Sequence, residues 1–246
     1  MAAIVIPEKT RSSLSKYLKA SRNPELVNVY LYFLEQLYGL HPVVFPQSKM
    51  IYRDSDEVVR VLEGENRLWK ETEIKIGYYA PSVNEETSRI YICPFSGKVF
   101  GDNTHPNPQD AIYDWVSKCP ENTERVGGLR VKRFYVSEDP EVIKGYADKD
   151  QHKKGKGITK VVYSSALSGK LFSTRKAVVA DFQKNYLKRL SLVEVQNQNR
   201  FQIEDKFLAF IKEHLSTEKL TSFVEALADY EEFMPYVEQW IDGEEE

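Results

Sequence analysis

The apolar positions along the chain change period twice. The first third is helical in texture: 11–20 places Leu14, Tyr17 and Leu18 on one side, and 24–38 places Leu26, Tyr30, Phe33, Leu34 and Leu37 on one stripe. Asn23-Pro24 supplies a cap and a first-turn proline and Gly39 a stop, so the spacing predicts a helix over Pro24–Tyr38. The segment 43–52 contains Pro46 and reads as an edge strand or extended stretch, and Asp54-Ser55-Asp56 caps a short helix at 57–62.

From Glu73 the period becomes two: Ile74, Ile76 and Tyr78 alternate with Lys75 and Gly77. Strand 90–93, a Ser96-Gly97 turn and a return at 98–100 follow, and Asn107-Pro108 opens a helix to about Lys118 that buries Ala111, Ile112, Trp115 and Val116. A polar connector at 120–128 has Gly127-Gly128 as a hinge. The pattern then runs apolar-basic strand 129–136, a helix opened by 137–140, a charged loop at 148–157, strand 160–165, the Ser168-Gly169 turn and return strand 170–172. A helix follows from 175 to about Leu192, with Val178, Val179, Phe182, Tyr186 and Leu190 inward. After Gln196 the helical period returns, with Ile203, Phe207, Phe210, Ile211 and Leu215 on one stripe and Leu220, Phe223, Val224 and Leu227 on another, then 233–241.

Two stretches of this pattern match each other. Ile-Tyr-Ile-Cys-Pro-Phe-Ser-Gly-Lys-Val-Phe at 90–100 lies over Val-Tyr-Ser-Ser-Ala-Leu-Ser-Gly-Lys-Leu-Phe at 162–172, and Ile112-Tyr113-Asp114-Trp115 lies over Val179-Ala180-Asp181-Phe182. The expected fold is α+β: a mainly helical section at 1–70, two repeated strand–hairpin–helix units at 71–122 and 129–195 with degenerate zinc-knuckle-like turns, and a helical, acidic section at 196–246.

Composition narrows the class. The 246 residues suffice for a real core, and no stretch reaches the roughly 18 apolar residues of a membrane helix. The N-terminus lacks a basic leader. Cys93 and Cys119 are too few for a disulfide scaffold, so the expected compartment is the cytoplasm. Charge is unevenly spread: 124–190 holds 16 Lys/Arg against 7 Asp/Glu, and 200–246 holds 4 against 13. Docking of the acidic end on the basic middle, within a chain or between copies, is one consequence; two solvated faces is the other.

The candidate chemistry centres on Cys93. Cys-Pro-Phe-Ser-Gly-Lys-Val-Phe resembles a zinc knuckle with its second cysteine replaced by Ser96. A structural zinc wants four ligands, and the candidates are Cys93, His105 and Cys119, with none in the matching turn at 165–168. No cofactor is therefore expected, zinc being the one alternative. The same residues resemble the Cys-Pro-x-Ser site of monothiol glutaredoxins, but the segment after Cys93 is poor helix sequence and lacks the dipole that lowers a thiol pKa. Neither Ser-Gly-Lys has phosphate-loop spacing. Arg130, Lys132, Arg133, Lys153, Lys154, Lys156 and Lys160, interleaved with Phe134, Tyr135, Tyr146 and Tyr163, form a candidate basic surface of the kind that neutralises phosphates and stacks bases.

The run Ile-Cys-Pro-Phe-Ser-Gly-Lys-Val-Phe-Gly-Asp-Asn-Thr-His-Pro-Asn-Pro-Gln-Asp-Ala-Ile-Tyr-Asp-Trp-Val at 92–116 resembles a family of conserved chlamydial proteins of unknown function. The resemblance implies a bacterial origin and assigns no activity, cofactor or catalytic residue. The residues themselves assemble no catalytic set. The expected function is non-catalytic binding through protein–protein contacts, with another protein or a second copy as partner. The alternatives are nucleic-acid binding through 129–190 and a thiol or metal enzyme centred on Cys93.

Overall fold

In a computed structural model the residues described are 7–20, 24–48, 50–76, 83–147, 158–190, 206 and 209–230, with backbone alone at 15–20 and 24–28. The side chains of Tyr17, Leu18 and Leu26, the end of the period-two run at Gly77-Tyr78, the loop 148–157 with Lys153, Lys154 and Lys156, and Ile203, Phe207 and 233–246 lie outside them. The fold is mixed helix and sheet, as the alternation of periods implies. The chain divides into two units, one built from both ends (1–58 and 186–246) and one from the middle (59–185).

The first unit joins helices α1 (Glu8–Ala20) and α2 (Pro24–Tyr38), strands β1 (Val43–Phe45) and β2 (Met50–Tyr52), a helical stretch at 209–214 and a C-terminal helix at Thr217–Ala228. Leu14, Tyr30, Leu34, Phe210, Ile211, Leu215, Leu220 and Phe223 fuse the helical stripes into one core. The helix expected to run to Leu192 stops at Tyr186. Lys188 and Arg189 form a short strand against β1, and Leu190 is buried in the core of this unit instead of lining a helix.

Helix α3 (Ser55–Gly64) follows β2, and the second unit is a six-stranded sheet. Its strands are β3 (Trp69–Ile76), β4 (Ile90–Ile92), β5 (Val99–Gly101), β8 (Tyr135–Ser137), β9 (Ile158–Ser165) and β10 (Lys170–Phe172), in the order β3-β9-β10-β8-β4-β5. The β8–β10 pair is parallel and every other pair antiparallel. The parallel pair needs a crossover, and α5 (Pro140–Ala147) lies in it. Each leading strand pairs with the other hairpin, β3 with β9 and β8 with β4. The sheet curls strongly. Lys75 near the end of edge strand β3 donates from Nζ to the Phe95 carbonyl at 2.7 Å, reaching the turn beside the opposite edge. Inside the curl pack Ile74, Ile76, Ile90, Ile92, Val99, Val162 and Leu171, closed by Val142, Ile143 and Tyr146 of α5.

The two Ser-Gly-Lys turns share a hydrogen-bond pattern. Gly97 donates to the Cys93 carbonyl and Gly169 to the Ser165 carbonyl, each at 2.9 Å. Ser96 and Ser168 each accept from the lysine amide two residues on, at 3.3 and 3.2 Å. Both glycines have positive φ, 78° and 70°, which their lack of a Cβ permits. Helices α4 (Pro108–Lys118) and α6 (Arg175–Tyr186) follow the two hairpins.

The connector differs from the sequence expectation. Arg125–Val126 and Leu129–Arg130 are strands β6 and β7 of a two-stranded hairpin, with Val126 opposite Leu129. Gly127 and Gly128, read as a hinge, have φ of 56° and 80° and form the tight two-residue turn of a hairpin. The strand expected at 129–136 is consequently broken into β7 and β8. Among the described residues no helix is long and apolar enough to cross a membrane.

Candidate functional site: the paired thiols and the β6–β7 finger

Strand β4 is buried on both faces. Ile90 and Ile92 point into the curl, so alternation sends Tyr91 and then Cys93 to the other side. There they meet Ile112, Val116 and Cys119, which recur at i, i+4 and i+7 and so share a face of α4. Cys119 caps the C-terminus of that helix, its amide donating to the Trp115 carbonyl at 2.8 Å. The two thiols lie 3.9 Å apart, at 0 % and 1 % exposure. Cys93 Sγ accepts from the Ser96 amide at 3.4 Å, whereas Cys119 Sγ donates to the Val116 carbonyl at 3.6 Å. Burial, then the neighbouring Cys93, pushes the Cys119 thiol pKa up.

Of the candidate metal ligands, the structure brings Cys93 and Cys119 together and leaves His105 apart. Its ring packs edge-on to Phe100 and its Nδ1 accepts from the Asn107 amide at 3.2 Å. Among the described residues no group of three or more His, Cys, Asp or Glu is placed to hold a metal ion. Ser96, standing where a knuckle carries its second cysteine, accepts from Trp115 Nε1 at 3.0 Å.

The outer rim of this cluster carries cations on aromatic faces. Lys98 Nζ stands 3.6 Å from the Trp115 ring, Lys132 Nζ 4.8 Å from Tyr113, and the Arg133 guanidinium 5.4 Å from Phe95. Of the predicted basic surface, Arg130, Lys132 and Arg133 gather here, beside the finger. Lys160 sits on β9 opposite Ile74. Arg130 donates to the Cys119 carbonyl at 2.7 Å and Arg133 pairs with Glu124 at 2.7 Å.

The base of the finger is clamped by Asn122, a residue the sequence reading passed over. Its Nδ2 donates to the Val116 carbonyl at 2.9 Å, satisfying an orphan acceptor at the end of α4, and to the Val131 carbonyl at 2.8 Å. The tip, by contrast, is uncovered: Val126 is 71 % and Leu129 74 % exposed, and Tyr113 lies half in solvent nearby. An apolar residue on each side of Gly-Gly is a hairpin signal that reading the glycines as a hinge conceals.

Other well-bonded acids hold loops. Glu138 bridges Lys170 and Arg89, and the Lys170 ammonium, then Arg89, draws its carboxyl below the ordinary range against the opposing effect of burial. Asp139 accepts from Ser173 N and Oγ at 2.7 and 2.8 Å.

Comparison with known proteins gives relatives and no activity. An uncharacterized protein of Chlamydia trachomatis serovar D is 48 % identical over 235 residues, 96 % of this chain and 97 % of the relative. A protein of Chlamydia pneumoniae is 48 % identical over the same shares, and an uncharacterized protein of Chlamydia muridarum 47 %. No solved structure matches. The family described as protein of unknown function (DUF2709) matches residues 4–242, and the chain belongs to that family.

Proposed function

We propose that this protein is a non-catalytic binding protein that engages another protein through the β6–β7 finger. The observation that carries the reading is the pairing of two exposed aliphatic side chains, Val126 and Leu129, at the tip of a hairpin clamped at its base. Leaving a valine and a leucine in water forgoes about 1.5–3 kcal/mol each at full burial, a cost that a partner surface recovers. Within residues 124–133 Arg125, Arg130, Lys132 and Arg133 stand against one acid, Glu124. That sign favours a protein with an apolar pocket rimmed by carboxylates. The matching turns and the reciprocal pairing of β3 and β8 with the two hairpins support descent of the second unit from a duplicated strand–hairpin–helix element.

A photo-crosslinking residue placed at 126 or 129 in the full chain tests the binding reading. The expected result is one recurrent protein adduct from both positions and none from the exposed Val161 on β9. Leu129→Asp then lowers affinity for that purified protein by about tenfold or more, since 1.4 kcal/mol is a factor of ten. Equal labelling from Val161, or unchanged affinity in Leu129→Asp, defeats the reading. Adducts of two copies of this chain would replace it with self-association. A shift of single-stranded oligonucleotides that weakens steeply with salt would replace it with nucleic-acid binding.

A further inference from the structure

Cys93 and Cys119 are the only cysteines of the chain, 26 residues apart, and the fold buries them against each other. We propose that they are a redox modification site: a dithiol that closes to an intramolecular disulfide and so staples the β4–β5 turn to the end of α4. This goes beyond the binding reading and stands without it. A disulfide has an S–S length of about 2.05 Å, so from 3.9 Å the two sulfurs together close roughly 2 Å. Both belong to segments able to give: Cys93 opens a tight turn, and Cys119 is a C-cap, where helices fray first. Tyr91, Phe95, Ile112 and Val116 surround the pair, so the bond, once made, is shielded from reductants.

The hydrogen bonds divide the roles. The Ser96 amide donates to Cys93 Sγ, so this sulfur acts as an acceptor. Cys119 Sγ, by donating to the Val116 carbonyl, is held as a thiol. With a hydroperoxide as oxidant, Cys93 gives up its proton and its sulfur attacks the peroxide oxygen; the O–O bond breaks, Cys93 becomes the sulfenic acid, and the departing oxygen takes that proton and leaves as water or alcohol. Cys119, giving up its proton, attacks the Cys93 sulfur, the S–O bond breaks and a second water departs. Two thiols and one hydrogen peroxide thus yield one disulfide and two waters. Burial and the raised Cys119 pKa make the reaction slow in the closed fold and gated by opening of the last turn of α4.

The test uses the full chain, reduced, freed of reductant and exposed to excess hydrogen peroxide, or in parallel to diamide. Remaining thiols are then blocked in denaturant, and intact mass and peptide maps are recorded. The expected product is a monomer lighter by two hydrogens, with the Cys93 and Cys119 peptides linked, restored by phosphine reductant. Linkage is expected to accelerate several-fold in urea concentrations below the unfolding transition. In Cys119→Ser the same peroxide adds oxygen at Cys93 and forms no link. The proposal is overturned if the wild-type chain blocks both thiols after prolonged oxidant, gains only oxygens, or links only between chains. Those readouts come from the wild-type protein and hold even if a variant fails to fold.

Discussion

Replacing each of the two turn glycines by alanine separates what the turn needs from what the curled sheet needs. Gly97 and Gly169 share positive φ, so alanine at either position costs about 1–2 kcal/mol for the left-handed conformation. The narrower unfolded ensemble of alanine offsets about 0.4–1 kcal/mol of that loss, at both positions alike. Around Gly169 a new Cβ meets nothing within 4 Å, and the loss stops at the backbone cost. At Gly97 the Cβ would lie 2.5 Å from the Lys75 carbonyl oxygen and 3.0 Å from Lys75 Cβ. That carbonyl also accepts from Tyr146 OH at 3.0 Å, so the strand cannot retreat without disturbing α5. Overpacking of this kind costs about a further 1–3 kcal/mol. Gly169→Ala is therefore expected to lose about 1 kcal/mol and Gly97→Ala about 2–4 kcal/mol. For a chain of this length those losses lower Tm by roughly 2–4 °C per kcal/mol. Urea and thermal denaturation of the two variants, followed by circular dichroism, measure the difference. Equal losses in the two variants would show that β3 does not press on the first turn, and the curl of the sheet would be wrong.

Three further outcomes are expected. Tyr146→Phe removes only the hydroxyl that donates to Lys75 and should cost about 1 kcal/mol in urea denaturation; an unchanged midpoint would deny that bond a role. Asn122→Ala frees the Val116 and Val131 carbonyls but also deletes a buried Oδ1 with no partner among the described residues, so the net loss is about 1 kcal/mol. Its signature is local: amide exchange at 125–130 should rise about fivefold while β9 stays protected, and uniform exchange would refute the clamp. Glu138 has its pKa depressed in the folded protein by Lys170 and Arg89, so its ion pairs stabilise the fold fully above the ordinary value of 4.5. That contribution fades as pH falls through 4.5 toward the lower folded pKa. Glu138→Gln should thus flatten the stability profile in that acid window and cost little, about 1 kcal/mol or less, at neutral pH because the pair is partly exposed. An acid profile parallel to that of the wild type would exclude the linkage.

Much of the local structure was legible because it is governed by short-range chemistry. Pro24 and Gly39 bound α2, Asn107-Pro108 starts α4, and Ser-Gly-Lys makes tight turns twice, each through the conformational limits of the residues present. The helix expected over 175–192 ends at Tyr186: Leu190 continues the apolar spacing, but the pairing of Arg189 with Val43, far away in sequence, overrides it. Gly127-Gly128 was ambiguous for a similar reason, since two glycines permit a hinge and a hairpin turn equally.

The candidate site divides along the same line. Sequence alone gives a strand at 90–93 and a helix to about Lys118 with Ile112 and Val116 inward, because side-chain period follows from backbone geometry. It also placed Arg130, Lys132 and Arg133 within one short segment. Only the tertiary structure decided that those strand and helix faces meet, putting the two thiols 3.9 Å apart, that His105 stays away, and that Val126 and Leu129 stand uncovered. Spacing along a chain fixes which way a side chain points; what it meets there is set by the packing of elements whose separation in sequence carries no such rule.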